Sequence, residues 1–160
     1  MKYHLSLVLT LLTSALVGKS QGQGTLENLG FEAASIGQTQ PPGFVDSLSA
    51  IPDWSAFVGT NQQSSVAWNN PSLGSTSIVL LGTNGSGYRA IEGGYGLLLQ
   101  GGKTFTAQGF VNTDATLIQN GLVPPTAKTI QFKAQAGIGT LMLSLNGQTI
   151  PYYELAVGPN

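Results

Sequence analysis

Apolar and polar positions alternate most regularly near the end of the chain. In Thr129–Ala134 and again in Thr140–Asn146, every second side chain is apolar, which is the period of a half-buried β-strand. Asn146-Gly147 follows directly. This pair favours a two-residue type I′ turn, because both central residues of that turn need a positive φ. The pattern predicts a hairpin whose return strand is Thr149–Val157.

Two continuous apolar runs, Ser77–Leu81 and Gly96–Gln100, have strand length and lie between glycine-rich segments, which is typical of strands buried on both faces. Further strands are predicted at Leu26–Glu32, Trp54–Gly59 and Ser64–Trp68. Ser35–Gly43 is predicted to be a loop, because its tandem prolines cannot donate ladder hydrogen bonds. No sustained helical stripe appears after residue 20. The fold class predicted is all-β, an antiparallel β-sandwich of jelly-roll type.

The first 20 residues have the pattern of a signal peptide. Lys2 is followed by the mainly apolar run Leu5–Val17, which is too short to span a membrane as a helix but suits an export signal. Small residues follow, so cleavage is expected after Ser20, with Gly22 as the alternative site. We therefore expect a secreted protein with a signal helix at 1–20, a β-sandwich domain at 21–160 and no membrane span in the mature chain. The alternative is a buried N-terminal helix.

Removing residues 1–20 leaves four basic and seven acidic side chains, a net charge of −3. It also removes the single histidine, His4, and the chain has no cysteine. Serine–histidine triads, cysteine nucleophiles and histidine- or cysteine-based zinc sites are thereby excluded from the mature chain. The acidic balance argues against nucleic acid as a partner.

Two further features bear on catalytic chemistry. Gly101–Thr104 contains Gly-Lys-Thr but lacks the glycine spacing and following helix of a phosphate loop, so a hairpin turn is predicted there. The seven mature carboxylates could include a glycosidase pair, which needs two carboxylates across a cleft. They are Glu27, Glu32, Asp46, Asp53, Glu92, Asp114 and Glu154.

Aromatic side chains near hydrogen-bonding groups are the candidates for sugar binding. Asp53 beside Trp54 could bond a sugar hydroxyl while the indole stacks on the ring, or Trp54 could belong to the core. Tyr88 and Arg89 lie in a glycine-rich loop, where binding residues often occur. Trp68 and Tyr95 complete the candidate ligand-binding set, and one of the adjacent Tyr152 and Tyr153 side chains is expected to point outward or into a groove.

Several segments together resemble a group of secreted bacterial proteins. Leu26-Glu27-Asn28-Leu29-Gly30-Phe31-Glu32 is similar to the opening of galactose-binding-like and carbohydrate-binding jelly-roll modules, with Leu29 inserted between Asn28 and Gly30. Four further stretches and the closing Gly158-Pro159-Asn160 resemble exoproteins common in Verrucomicrobia and Planctomycetes, many of which carry a PEP-CTERM sorting tail. These stretches are Ile51–Trp54, Trp68–Gly74, Gly121–Pro124 and Phe132–Gln135.

The resemblance implies properties that the residue pattern alone does not. Related modules hold a structural Ca²⁺ with the carboxylate of this opening segment and a late aspartate, because hard oxygen ligands suit calcium. Glu32, and with it Glu27, would be the metal ligands here, although the late aspartate is missing. The alternative for Glu32 is an exposed strand-end carboxylate. Members of the group also continue with further strands, so we expect an incomplete sandwich; a natural end in a loop is the alternative.

These observations favour a non-catalytic secreted module of the cell surface or exopolysaccharide matrix, with weak carbohydrate binding and extracellular polysaccharide as its partner. Two alternatives stay open. One is a structural or adhesive exoprotein that self-associates through open sheet edges. The other is a glycan-active enzyme using two of the seven carboxylates.

Overall fold

The computed structural model describes residues 26–72, 74–85, 87–135 and 139–153. The predicted signal helix at 1–20 and the end of the predicted return strand lie outside these residues. The described part is mostly β, built from several small, mostly antiparallel sheets. In chain order the elements are β1 Gly43–Asp46, α1 Ser47–Ala50, β2 Ser55–Val58, β3 Asn61–Gln62, β4 Ser65–Trp68, β5 Ser77–Gly82, β6 Tyr95–Gln100, β7 Gly102–Thr106, β8 Gly109–Thr113, β9 Ala115–Ile118, β10 Leu143–Leu145 and β11 Gln148–Ile150.

Sheet A is four-stranded, with the order β1-β4-β5-β6. Its outer pairs, β1–β4 and β5–β6, are antiparallel, but β4 and β5 run parallel. The expectation of a purely antiparallel fold is therefore wrong at this pair, and the described strands do not show a jelly roll. The strand predictions at Ser64–Trp68, Ser77–Leu81 and Gly96–Gln100 are confirmed by β4, β5 and β6.

Sheet B is three-stranded, with the order β3-β2-β9 and antiparallel pairing throughout. β2 lies within the predicted strand Trp54–Gly59. Strands β2 and β9 contact β5, and β9 also contacts β6, so sheet B packs against one face of sheet A. Two hairpins, β7–β8 and β10–β11, form separate two-stranded sheets.

The main core lies where the two sheets meet. Inward side chains of sheet A meet Ala56 of β2 and the side chains of α1 and the loop after it. The buried members are Ile36, Val45, Ala50, Ile51, Ala56, Val66, Trp68, Ile78 and Leu80. A second buried cluster, formed by Ala67, Val79 and Leu81 with Leu98 against it, occupies the opposite face of sheet A. β5 is thus buried on both faces, as its apolar run predicts.

The predicted strand Leu26–Glu32 is wrong, because this segment forms turns. Asn28 and Phe31 have φ values of 48° and 63°, which are incompatible with an extended chain. The Asn28 side chain accepts a hydrogen bond from the Ala33 amide at 2.9 Å and donates one to the Pro52 carbonyl at 2.9 Å. An asparagine that bonds nearby backbone stabilises a turn, and this one also ties the turn to the loop before β2.

Two other predictions also differ from the structure. Thr129–Ala134 is not a strand, and Ile130 and Phe132 on its apolar face are exposed. Alternation alone does not make a strand without a pairing partner.

Gly101–Thr104 is not a hairpin turn, because Gly102 begins β7 and the turn follows Thr106.

The predicted Asn146-Gly147 turn is confirmed. Both residues have positive φ, 51° and 74°, and Leu145 pairs with Gln148 across the turn. The return strand is described as β11, which is shorter than the predicted Thr149–Val157. No helix among the described residues is long and apolar enough to cross a membrane.

Candidate functional site

A cleft opens in sheet A where strands β4 and β5 separate. The parallel pairing joins only Ala67 with Val79 and Trp68 with Leu80. The preceding residues, Ser65-Val66 and Ser77-Ile78, are not paired with each other across this gap. The resulting cleft has a volume of about 380 Å³, which lies within the usual range for small-ligand sites.

The cleft is lined mostly by uncharged polar side chains. Its apolar floor comes from the β-strands, and its polar groups come from their ends and from the β4–β5 connection. The described lining residues are Phe44, Val58, Gln63, Ser65, Val66, Ala67, Asn70, Ser72, Ser75, Thr76, Ser77 and Ile78. Every polar member is a serine, threonine, asparagine or glutamine. Hydroxyl and amide groups can donate and accept hydrogen bonds without carrying a charge.

Phe44 supplies the aromatic surface of the cleft. It pairs with Ala67 across β1 and β4, so both side chains lie on the outer face of sheet A. The Phe44 side chain is 77% exposed although it stands in the middle of a paired strand. Its neighbour Val45 points to the core and is buried, which fixes the orientation of the strand.

Hydrogen bonds fix the loop wall of the cleft at both ends. At one end, Asn69 has a positive φ of 46°, and its side-chain oxygen accepts a bond from the Gly82 amide at 2.8 Å. At the other end, the Thr76 hydroxyl donates to the Thr113 carbonyl at 3.0 Å. The Lys103 amide donates to the Gly74 carbonyl at 3.0 Å. These bonds anchor the two ends of the β4–β5 connection to β5 and to the β7–β8 hairpin.

Two predicted sugar-binding residues lie in the core instead. Trp68 is 0% exposed, and its indole N–H donates to the Gln40 carbonyl at 2.9 Å. Tyr95 packs beside it, with ring centroids 6.1 Å apart, and its hydroxyl donates to the Ile36 carbonyl. The prediction is wrong for Trp68, because no sugar can reach a ring without exposed surface. Tyr95 is half-buried with its hydroxyl already bonded, so it serves the core as well.

Trp54 and Asp53 have different surroundings, and the sugar-binding role predicted for them stays a prediction. The Trp54 indole N–H donates to the Asn28 carbonyl at 3.0 Å, and its ring packs 5.6 Å from that of Phe31. Trp54 is thus half-buried and packs against the core. Asp53 is exposed in a turn with a φ of 69°, and its carbonyl accepts a bond from Gln119.

Tyr88 and Arg89 are both exposed in the loop between β5 and β6, where the sequence places them. Neither lines the cleft among the described residues. Tyr152 and Tyr153 are exposed at the end of the described chain.

The Glu32 carboxylate holds a backbone loop. Its two oxygens accept hydrogen bonds from the Gly94 amide at 3.0 and 3.1 Å, and one accepts a third from the Tyr95 amide at 3.3 Å. This ties the N-terminal turn to the start of β6. The described residues contain no group of three acidic, histidine or cysteine side chains that could hold a metal ion. The calcium role of Glu32 and Glu27 stays a prediction, and the observed role of Glu32 is to order this loop.

Sequence reasoning missed Phe44 because its strand, β1, has only four residues and directly follows the Pro41-Pro42 loop. The signal that could have identified it is the alternation Phe44-Val45-Asp46-Ser47, in which Val45 and Ser47 are buried while Phe44 and Asp46 are exposed. Sequence reasoning also missed Phe105 and Phe110, which pair with each other across the β7–β8 hairpin.

A second cavity of about 400 Å³ lies on the β10–β11 hairpin, lined by Leu145–Asn146 and Gln148–Pro151. All its described walls come from one hairpin, and none is aromatic. The cleft in sheet A, with walls from several strands and a loop, is the better-formed candidate site. Comparisons with protein-family models, with curated proteins and with solved structures found no match to this chain.

Proposed function

We propose that this protein is a non-catalytic, secreted carbohydrate-binding module, and that the cleft beside β4 and β5 holds the sugar. The observation that carries the proposal is the combination of the exposed Phe44 ring with a wall of uncharged hydroxyl and amide groups. A sugar ring presents an apolar C–H face and a rim of hydroxyls. Phe44 fits the former, and Ser65 and Asn70 fit the latter.

The ligand class that suits the cleft is a neutral glycan. The polar lining groups are uncharged. The carboxylate beside the cleft belongs to Asp46, the register partner of Ser65. Asp46 accepts a hydrogen bond from the Ser49 amide at 3.1 Å as the N-cap of α1. A negative charge at this place repels uronate groups, so a neutral chain is favoured over an acidic one.

The rest of the proposal follows from the sequence. The signal-peptide pattern at 1–20 and the resemblance to bacterial exoproteins support a place at the cell surface or in the exopolysaccharide matrix. The same resemblance supports a jelly-roll architecture for the whole domain. A module of this kind retains its protein on a polysaccharide through weak contacts, so we expect affinities in the range of about 1 mM to 1 µM.

Affinity electrophoresis through gels that contain polysaccharide tests this function. We expect retardation in neutral xylan, glucan or mannan gels, and none in alginate or polygalacturonate. Retardation in the neutral gels should persist when salt is raised, because uncharged contacts are not screened. Phe44→Ala should abolish or reduce the retardation. Leu48→Ala is its matched control and should be retarded like the wild type, since Leu48 is as exposed as Phe44 but lies outside the cleft lining. Retardation only by acidic gels, or by none, would contradict the proposal.

Self-association is the second candidate function. The observation that favours it is the number of large apolar side chains exposed after residue 104, since exposed apolar patches mark interaction surfaces. They include Phe105, Phe110, Ile130, Phe132, Met142 and Tyr153.

A further inference from the structure

Hairpin β7–β8 presents two exposed aromatic rings on one face. Phe105 and Phe110 are directly paired across the hairpin, and their ring centroids are 5.3 Å apart at an angle of 66°. They are 73% and 71% exposed. An edge-to-face aromatic pair is favourable in itself, and the two rings together form one apolar surface.

The same face of the hairpin carries polar groups beside the rings. Lys103 lies two residues before Phe105, and its register partner is Asn112, two residues after Phe110. Side chains two apart on a strand share a face. The face is therefore an apolar centre with an ammonium and an amide at one end, and both of these groups can donate hydrogen bonds to hydroxyls.

Hydrogen bonds within the turn support this hairpin. Thr106 and Gly109 close a two-residue turn, and Gly109 has a φ of 101°. The Thr106 hydroxyl donates to the Gly109 carbonyl at 3.0 Å and accepts a bond from the Gln108 amide at 3.2 Å. Because these bonds fix the register, the two rings stay opposite each other.

The hairpin is joined to the wall of the cleft. Ser75, a lining residue, forms a parallel bridge with Lys103. The Thr76 amide donates to the Lys103 carbonyl at 3.4 Å, and the Lys103 amide donates to the Gly74 carbonyl at 3.0 Å. Bridged residues point to the same side of a sheet, so Lys103 and Phe105 lie on the same side as Ser75. Phe105 follows about 7 Å further along the strand.

We infer that the Phe105–Phe110 face is a second carbohydrate subsite that binds the same neutral glycan chain as the cleft. This inference rests on the proposed function and extends it, because it makes the ligand an oligosaccharide rather than a single sugar. The cleft binds one part of the chain on Phe44. A neighbouring part continues past Ser75 and packs on the two rings, with Lys103 and Asn112 bonding its hydroxyls.

Calorimetric titration with sugars of two lengths tests the inference. The probes are the disaccharide and the hexasaccharide of the cello-, malto- and xylo-series. The variants are Phe105→Ala/Phe110→Ala, Phe44→Ala and the control Leu48→Ala. All four side chains are mostly exposed, so circular dichroism should show unchanged folding.

We expect the hexasaccharide to bind the wild type more tightly than the disaccharide. The double variant should lose roughly tenfold in hexasaccharide affinity, because apolar contact with two rings is removed. Its disaccharide affinity should be unchanged. Phe44→Ala should weaken both sugars, and Leu48→Ala neither.

The other outcomes separate the two proposals. If the double variant binds both sugars as the wild type does while Phe44→Ala loses them, the second subsite is wrong and the proposed function stands. If the wild type binds none of the sugars, both are contradicted. If the double variant keeps its sugar affinity but sedimentation velocity shows that an oligomer has become a monomer, the rings form a self-association surface and the second subsite is wrong.

Discussion

Replacing Trp68 with alanine is expected to lower the free energy of unfolding by about 3–5 kcal/mol, the usual cost of removing a buried aromatic side chain. Trp68 has no exposed surface and is the largest fully buried side chain among the described residues. Its ring packs against Tyr95, and its indole N–H donates to the Gln40 carbonyl. Alanine would leave a cavity in the main core and an unpaired carbonyl. Urea unfolding followed by circular dichroism measures the loss.

Trp68→Phe separates the two contributions. It keeps an aromatic ring in the core but removes the indole N–H. The free energy of unfolding should therefore fall by about 1–3 kcal/mol relative to the wild type, because the Gln40 carbonyl loses its donor and the ring is smaller. A loss below about 1 kcal/mol in Trp68→Ala would resemble an ordinary surface substitution. Trp68 would then not be part of the core.

Replacing Phe44 with alanine should reduce affinity for neutral glycans by roughly tenfold or more. Covering an apolar ring of this size contributes about 1.5–3 kcal/mol, and about 1.4 kcal/mol corresponds to a factor of ten. The stability of the fold should change by less than about 0.5 kcal/mol, because Phe44 is mostly exposed. Calorimetric titration and thermal unfolding of the same preparation give both values.

The comparison with Leu48→Ala isolates the role of the ring. Leu48 is 79% exposed and follows Phe44 closely in the chain, yet it does not line the cleft. A Phe44→Ala protein that still bound the glycan with wild-type affinity would place the sugar elsewhere. Equal losses in both variants would indicate a general effect on the surface rather than ring stacking.

The sequence predicted correctly the elements whose local residue pattern is sufficient to specify them. Ser77–Leu81 and Gly96–Gln100 are continuous apolar runs, and they form the paired strands β5 and β6. Asn146-Gly147 specifies its turn through the backbone conformation of two residues, which needs no information from the rest of the chain.

The incorrect predictions depended on contacts that are distant in sequence. Leu26–Glu32 looks extended, but Asn28 bonds to Pro52 and Trp54, and Glu32 bonds to Gly94 and Tyr95. These partners fold the segment into turns that brace the core. Ile130 and Phe132 alternate correctly but do not form a strand, because pairing requires a partner that composition does not reveal.

The candidate site was missed for a related reason. An aromatic residue in the sequence does not show which face of the sheet it occupies. Trp68 and Phe44 lie on adjacent strands, but Trp68 points to the core and Phe44 to the opposite face. The cleft itself arises where β4 and β5 stop pairing, and strand register is a property of the folded sheet.

The binding of a neutral glycan in the cleft is tested most directly by mapping amide chemical shifts with nuclear magnetic resonance while a neutral hexasaccharide is added to the full chain. We expect the largest shifts at the amides of Phe44, Ser65, Ser77, Asn69–Asn70 and Ser75–Thr76 around the cleft. Amides of the main core and of the Tyr88-Arg89 loop should change little. Saturating shifts confined to that loop or to the β10–β11 hairpin, with the cleft unchanged, would contradict binding in the cleft.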